Sequence, residues 1–319
     1  MKKPNFFIIG APKCGTTSLA SWLSTHPQVF MCSIKEPHFF NWDYAVRRTK
    51  TLASYENLFS GAAREHVAIG EASVRYLYSR VAVPAICCYV ERPRFIVMIR
   101  DPVEMAYSLH DQTVFNGFET ENDFERAWRL QHRRMYGDSV PYRCPDMQLL
   151  QYGTLCRIGE QLQRLYKYVA FDQVIVLRME NLKSSPRSTY LKVLEFLGLE
   201  DDGRVEFPVL NVAKEARFRV IRRSVSSINQ ALARIGVHDI RLGISKWLDE
   251  NGRRSRPRPP LANDLENELR AYFLKDTCLL ENLTGLDLFA WKGKSCSSDS
   301  SESRYAAPSR NFGESGLKA

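Results

Sequence analysis

Short apolar runs alternate with amphipathic stretches through the first two-thirds of the chain. A continuous apolar run is typical of a buried parallel strand, whereas apolar residues spaced three or four apart predict a helix. The runs predict strands at 6–9, 28–32, 67–71, 94–100 and 173–178. The amphipathic stretches predict helices at 17–25, 103–111, 152–169 and 189–197. This alternation predicts an α/β fold, a P-loop-type three-layer sandwich with a central parallel sheet and helices on both faces.

Polar residues directly follow four of the predicted strands. The carboxyl ends of parallel strands meet at one edge of a sheet, and ligands bind outside that edge. We therefore expect four segments to line one site: 13–18, 35–38, 71–76 and 100–108.

The first of these segments has the pattern of a phosphate-binding loop. Gly10 and Gly15 permit a tight turn, and the N–H groups at the following helix start carry partial positive charge that attracts phosphate oxygens. In a Walker A loop the lysine follows the second glycine, whereas here Thr16 follows Gly15 and the lysine lies two residues before it. The pattern predicts a phosphate loop unlike that of an ATPase, formed by Lys13, Cys14, Gly15, Thr16, Thr17 and Ser18. The alternative is a plain turn with a surface lysine.

Arg100 and Ser108 form a second candidate phosphate site. They flank a strand-to-helix turn, where a guanidinium gives bidentate recognition of phosphate and a hydroxyl adds a hydrogen bond. The alternative is a structural ion pair of Arg100 with Asp101 or Glu104. Two phosphate sites on one sheet edge suggest a ligand with two separated phosphate groups.

Three segments together resemble a sulfotransferase that uses 3′-phosphoadenosine 5′-phosphosulfate (PAPS), closest in style to heparan-sulfate and bacterial members. They are FFIIGAPKCGTTSLASWLSTHP, KEPHFF and RFIVMIRDPVEMAYSLH, and the resemblance extends from Asn5 to about Trp291. It implies that the loop of residues 13–18 holds the 5′-phosphosulfate and that Arg100 and Ser108 hold the 3′-phosphate. It implies no metal.

The resemblance also indicates the catalytic residues. Lys13 would stabilise the charge that develops on the leaving phosphate. The acceptor must lose a proton, and Glu36 matches the family's acidic residue, so Glu36 is the preferred general base. His38 either orients Glu36, binds the acceptor or serves as the base itself. The alternatives are a salt bridge of Glu36 with Lys35 or an arginine, and a packed structural His38.

The chain departs from the family pattern at two places. Glycan-type relatives have a lysine and a proline after the position of Glu71, whereas this chain has Ala-Ser-Val-Arg-Tyr at 72–76, with Arg75 at a different position. Relatives also close a basic, glycine-containing loop over the nucleotide. Two segments compete for that role here, 214–217 and 252–256.

Composition and charge narrow the function classes. With 44% hydrophobic and 25% charged residues, the 319-residue chain is an ordinary globular protein, and its net charge of +9 favours anionic ligands. It has no apolar stretch of the ~20 residues that span a membrane. The apolar run at 6–9 is too short for a secretory signal. The eight cysteines show no CxxC spacing, so we expect free thiols, with Cys87 and Cys88 buried, and a cytoplasmic location.

We therefore expect a sulfotransferase domain at 1–292 and a disordered tail at 293–319. The expected acceptor is a hydroxyl or amine of a carbohydrate, glycolipid or natural product, with no nucleic acid, membrane insertion or metal. The oligomeric state stays open. A P-loop kinase is a rival function, opposed by the lack of a lysine after Gly15. A nonenzymatic polyanion-binding protein is the second rival, and its affinity would collapse with salt.

Overall fold

A five-stranded parallel sheet forms the centre of the computed structural model, which describes residues 2–209, 215–216, 253–254 and 258–293. The strand order is β2-β3-β1-β4-β5, and every neighbouring pair is parallel. The strands are β1 Phe6–Gly10, β2 Val29–Met31, β3 Ala68–Ala72, β4 Arg94–Ile99 and β5 Val174–Arg178. Every residue of β1 and β3 is buried, so both faces of the sheet are covered at its centre. The predicted α/β fold with a central parallel sheet is confirmed.

Ten helices of the described residues surround and extend the sheet. They are α1 Thr16–Leu23, α2 Leu52–Asn57, α3 Ala82–Tyr89, α4 Pro102–Asn116, α5 Phe124–Met135, α6 Tyr152–Cys156, α7 Ile158–Leu165, α8 Met179–Ser184, α9 Pro186–Leu197 and α10 Asn263–Thr284. The helix predicted at 189–197 begins earlier, with Pro186 in its first turn, and Gly198 ends it in the left-handed conformation.

The helix predicted at 152–169 is two helices, α6 and α7, divided at Arg157. The division has a tertiary cause. The backbone N–H groups of Gly159 and Glu160 donate to the Asp276 carboxylate at 2.9 and 2.8 Å, so a side chain of α10 caps α7 at its start. The spacing of apolar residues cannot predict this contact, because Asp276 lies more than a hundred residues after Gly159 in the chain.

Close packing in the sheet depends on Gly70 of β3. A Cβ atom added there would lie 2.2 Å from Cζ of Phe6, a distance no real side chain tolerates. The absent side chain therefore provides the space in which the Phe6 ring packs.

The prediction of buried thiols at 87 and 88 is wrong. The apolar run containing them forms α3, which leaves Cys87 half-buried and Cys88 exposed because a surface helix buries only one stripe. The seven cysteines among the described residues are all free thiols. None of the helices in that part of the chain combines the length and the apolar composition that crossing a membrane requires.

The two basic segments proposed as nucleotide loops are partly described. Strand β6 Glu215–Ala216 pairs antiparallel with β7 Arg253–Arg254, so the backbones of the two competing segments are neighbours. The sequence also predicts a helix around 224–235. That segment and the tail at 294–319 lie outside the described residues.

Candidate active site

The segment predicted to be a phosphate loop joins β1 to α1. Gly15 lies at the helix start with φ 85°, a left-handed conformation that favours glycine. No side chain caps α1, and its first turn contains no acidic residue. Because the first N–H groups of a helix have no acceptor within it, this end of α1 can bind an anion.

Side chains of the loop differ in what they can contribute. Thr16 and Ser18 are buried and Thr17 is half-buried, so all three hydroxyls belong to the loop's close environment. Burial raises the pKa of the Cys14 thiol to about 12, which keeps it protonated. Cys14 therefore brings no negative charge to the site, and its contribution is its backbone.

Lys13 lies within a cluster of cations. Its backbone has φ 68°, and burial together with the charges of Arg258 and Arg100 lowers the pKa of its ammonium group to about 8. Three cations near one uncapped helix end concentrate positive potential where little water screens it.

Arg100 contacts the loop of residues 13–18 and also forms the ion pair with Glu104 that was the alternative to a phosphate-binding role. Its Nη1 donates to the Lys13 carbonyl at 3.4 Å, and its Nη2 lies 2.9 Å from Oε2 of Glu104. Most of the Arg100 side chain is buried. The ion pair considered as an alternative thus holds Arg100 against the phosphate loop, so the two interpretations are compatible.

Arg258 is a site residue that the sequence did not single out. Its Nη2 donates to Oγ of the buried Ser108 at 2.8 Å, and its guanidinium also pairs with Asp111. The signal for it was the basic run 253–258, in which Arg258 directly precedes two prolines. The segment expected to close over the nucleotide, 252–256, ends two residues before Arg258.

Glu36 and His38 lie side by side. His38 Nε2 lies 3.5 Å from Oε2 of Glu36, and Lys35 Nζ lies 2.7 Å from Oε1. Burial would raise the pKa of Glu36, but His38 and Lys35 hold it well below its usual range. Glu36 is therefore an ionised carboxylate at neutral pH. The Lys35 salt bridge considered as an alternative is present together with the His38 contact.

The segment containing Glu36 and His38 is held by the end of β3. Both residues have positive φ, 61° and 52°, a conformation that costs energy unless the surroundings impose it. The Glu36 N–H donates to the Ala72 carbonyl at 2.9 Å, and the His38 N–H donates to Oγ of Ser73 at 3.2 Å. These hydrogen bonds fix the two candidate catalytic residues relative to the sheet.

Glu71 holds Ser73, the residue that binds the His38 backbone, in place. It is fully buried, and its carboxylate accepts from Ser73 Oγ at 3.0 Å and from Tyr55 Oη at 2.9 Å. Burial raises the pKa of Glu71 to about 7, although the hydrogen bonds from Tyr55, Tyr76 and Ser73 oppose the rise. Tyr76 Oη also accepts from the Phe39 N–H at 3.0 Å, which ties the next residue of the segment to the same network.

The structure thus gives each predicted site residue a place along one sheet edge. The phosphate loop follows β1, the Glu36–His38 pair is bound to the end of β3, and Arg100 and Ser108 follow β4. Within the described ranges, no three His, Cys, Asp or Glu side chains group as a metal-ion site. Residues that sequence reasoning missed are the supporting ones, namely Arg258, Glu71 as an anchor, and Tyr76.

Comparison with known proteins agrees with this geometry. The family model described as "Sulfotransferase domain" matches residues 3–273. Carbohydrate sulfotransferase 15 from Homo sapiens is 29% identical over 248 residues, which cover 61% of this chain and 44% of that protein. Heparan sulfate glucosamine 3-O-sulfotransferase 3B1 from Mus musculus is 27% identical over 197 residues, covering 62% and 46%. The chain thus matches less than half the length of these curated relatives.

A solved structure extends the likeness over nearly the whole chain. The sulfotransferase from Alicyclobacillus acidocaldarius is similar with a TM-score of 0.67 at 25% identity, covering 92% of this chain and 100% of that one. The family match and the parallel sheet agree with each other. The chain belongs to the sulfotransferase domain family.

Proposed function

We propose that this protein transfers a sulfuryl group from PAPS to a hydroxyl group of a carbohydrate. The observation that carries the proposal is the convergence of Lys13, Arg100 and Arg258 at the uncapped start of α1. Burial, and after it the charges of Arg258 and Arg100, lower the pKa of Lys13, and a bound anion would relieve the repulsion among the three cations.

The described residues fit a nucleotide with phosphate groups at both ends. The N–H groups at the start of α1 and Lys13 would hold the 5′ group, and Arg100, Ser108 and Arg258 would hold the 3′-phosphate. When bound, PAPS supplies the sulfuryl group, and its sulfur–oxygen bond to the 5′-phosphate breaks as the acceptor oxygen forms a bond to sulfur. Lys13 would stabilise the negative charge that develops on the departing phosphate.

Glu36 would accept the proton of the acceptor hydroxyl. Its carboxylate is ionised at neutral pH, and its Oε2 faces His38. His38 is almost completely buried and hydrogen-bonded through its backbone to Ser73, so it can hold the carboxylate in one orientation. Positioning a base in this way contributes typically 10²–10⁴-fold to a rate.

The carbohydrate acceptor is supported by the relatives. Those that align with this chain include enzymes named for carbohydrates and for heparan sulfate glucosamine. Trp42 follows Glu36 by six residues in the sequence and is 57% exposed, so its ring is open to stacking on a sugar ring.

Nucleotide binding is tested by thermal unfolding. Adenosine 3′,5′-bisphosphate should raise the melting temperature in proportion to the logarithm of its concentration, and Arg100→Ala should remove most of the shift. Arg92→Ala is the matched control, because Arg92 also pairs with a carboxylate, at 2.8 Å, but is 72% exposed. Stabilisation by ATP without stabilisation by the bisphosphate would refute the proposal in favour of a kinase.

Sulfuryl transfer is tested with radiolabelled PAPS and a panel of saccharides. Glu36→Gln should lower turnover by at least about 10²-fold while keeping the melting-temperature shift with the bisphosphate, because the amide cannot accept the proton. Full activity of Glu36→Gln would exclude Glu36 as the base, and the same assay with His38→Ala would then test the histidine.

A further inference from the structure

Arg75 is a buried cation without an anionic partner among the described residues. Its side chain follows β3 by three residues and is only 9% exposed. None of the ion pairs of the described residues includes it. Its guanidinium interacts with the Tyr44 side chain, but its buried Nη1 atom has no hydrogen-bond partner there. Arg134 shows the usual arrangement, since it is still more buried, at 1% exposed, but forms a bidentate pair with the Glu119 carboxylate. Burying a guanidinium without an anion beside it costs free energy, so we expect the space beside Arg75 to receive an anion.

Arg75 lies next to the candidate base. Its Cζ is 5.0 Å from the ring centroid of Tyr44, and that ring is 5.4 Å from the ring of His38. His38 in turn contacts Glu36 at 3.5 Å. A single aromatic ring therefore separates the unpaired guanidinium from the pair of residues that would deprotonate the acceptor.

The position of Arg75 separates it from the residues expected to hold the 3′-phosphate. Arg100, Ser108 and Arg258 gather around β4 and α4, whereas Arg75 follows β3. Strands β3 and β4 lie on opposite sides of β1 in the sheet. An anion at Arg75 would thus lie on the side of Glu36, where the acceptor approaches.

We propose that Arg75 binds an anionic group of the acceptor, a carboxylate or a sulfate ester, close to the hydroxyl that receives the sulfuryl group. This inference rests on the proposed function and specifies its substrate class as an acidic saccharide. The planar guanidinium matches both anions, because each presents two oxygens to its paired N–H groups. The Tyr44 ring holds the guanidinium in place from one side by a cation–π contact.

The test is a titration of the full chain, saturated with adenosine 3′,5′-bisphosphate, by three matched sugars. They are a hyaluronan tetrasaccharide, its carboxyl-reduced neutral form, and that neutral form carrying one sulfate ester. We expect at least one anionic sugar to bind about tenfold or more tightly than the neutral one, since a hydrogen bond to a charged group has that value. The two anionic sugars distinguish a carboxylate from a sulfate ester.

Arg75→Gln should bring the ratio of the affinity for the anionic sugar to the affinity for the neutral sugar toward one. Arg75→Lys should keep part of the preference for the anionic sugar because it keeps the positive charge. The matched control is Arg157→Gln. Arg157 also stacks on a tyrosine, with its Cζ 4.7 Å from the Tyr272 ring, but it already has Glu160 as a partner at 3.5 Å. The control should keep the wild-type ratio, and a thermal melt of each variant shows that it is folded.

Three results would overturn the inference: equal binding of all three sugars by the wild-type chain, no binding of either anionic sugar, or an unchanged ratio in Arg75→Gln. These results differ from failure of the proposed function, which is absence of a melting-temperature shift with the bisphosphate. If that shift is absent, the same titration without nucleotide still measures the contribution of Arg75.

Discussion

The buried carboxyl group of Glu71 should make the stability of this protein depend on pH. Burial raises its pKa from 4.5 to about 7. Below pH 4.5 the group is protonated in both the folded and the unfolded chain. Between pH 4.5 and 7 the unfolded chain loses the proton while the folded chain keeps it, so folding becomes less favourable as pH rises. Above pH 7 both states are ionised and the full cost is present.

The magnitude follows from the size of this pKa change. Each tenfold ratio of proton affinity corresponds to 1.36 kcal/mol, so the full cost is about 3 kcal/mol, and about 2.5 kcal/mol of it accumulates between pH 5 and pH 8. Glu71→Gln removes the ionisation while keeping the shape of the side chain. The free energy of unfolding of the wild type should therefore fall by about 2.5 kcal/mol relative to this variant over that pH range.

Urea unfolding followed by tryptophan fluorescence at pH 5 and pH 8 measures the difference, since Trp22 is buried in the core. Asp276, whose pKa burial raises to about 6, titrates in both proteins and cancels in the comparison. Glu65→Gln makes the same chemical change at an exposed position and serves as the control. If wild type and Glu71→Gln differ by the same free energy at both pH values, Glu71 is not held protonated by burial and the reasoning fails.

Two further predictions concern the loop and the sheet. Because the pKa of Lys13 is about 8, binding of the bisphosphate at pH 8 should take up about half a proton as the anion restores the charged ammonium, and Lys13→Met should take up none. Calorimetry in buffers of different ionisation enthalpy measures this uptake, and identical heats in all buffers would contradict it. Gly70→Ala should destabilise the fold by at least about 1–3 kcal/mol, since its Cβ would enter the Phe6 ring, and Phe6→Leu in the same chain should recover part of the loss. Urea unfolding curves measure the stability of Gly70→Ala and of the double variant. An unchanged unfolding midpoint for Gly70→Ala would show that the sheet accommodates the added methyl group without loss of stability.

The sequence predicts the strand, loop and helix around residues 13–18 well because their determinants are local. A buried strand, Gly15 at positive φ and an amphipathic helix follow one another within twenty residues, so pattern and structure coincide. The strands of the sheet are predicted for the same reason, since each is a short apolar run that the fold buries on both faces.

The rest of the site depends on contacts that pattern does not contain. Arg258 reaches Ser108 across 150 positions of the chain, and Asp276 divides a predicted helix from a distance of 117 positions. Glu71 was predicted at a strand end, but its role as an anchor requires Tyr55 and Ser73 to lie against it. The cytoplasmic location and the boundary of the tail at 293 stay predictions.

The Arg258–Ser108 hydrogen bond also bears on how the protein folds. It joins residues separated by 150 positions, and the parallel pairing of β1 with β3 and β4 likewise brings together distant parts of the chain. Bringing such distant residues together lowers the entropy of the chain before the contacts between them can stabilise it. Chains with many contacts between distant residues therefore fold slowly. The cluster of Arg100, Ser108 and Arg258 proposed to hold the nucleotide therefore forms only when the late parts of the chain have docked on the early ones. Affinity for the bisphosphate is then a measure of completed folding, and a chain ending before Arg258 should lose most of it even though it contains the whole loop of residues 13–18.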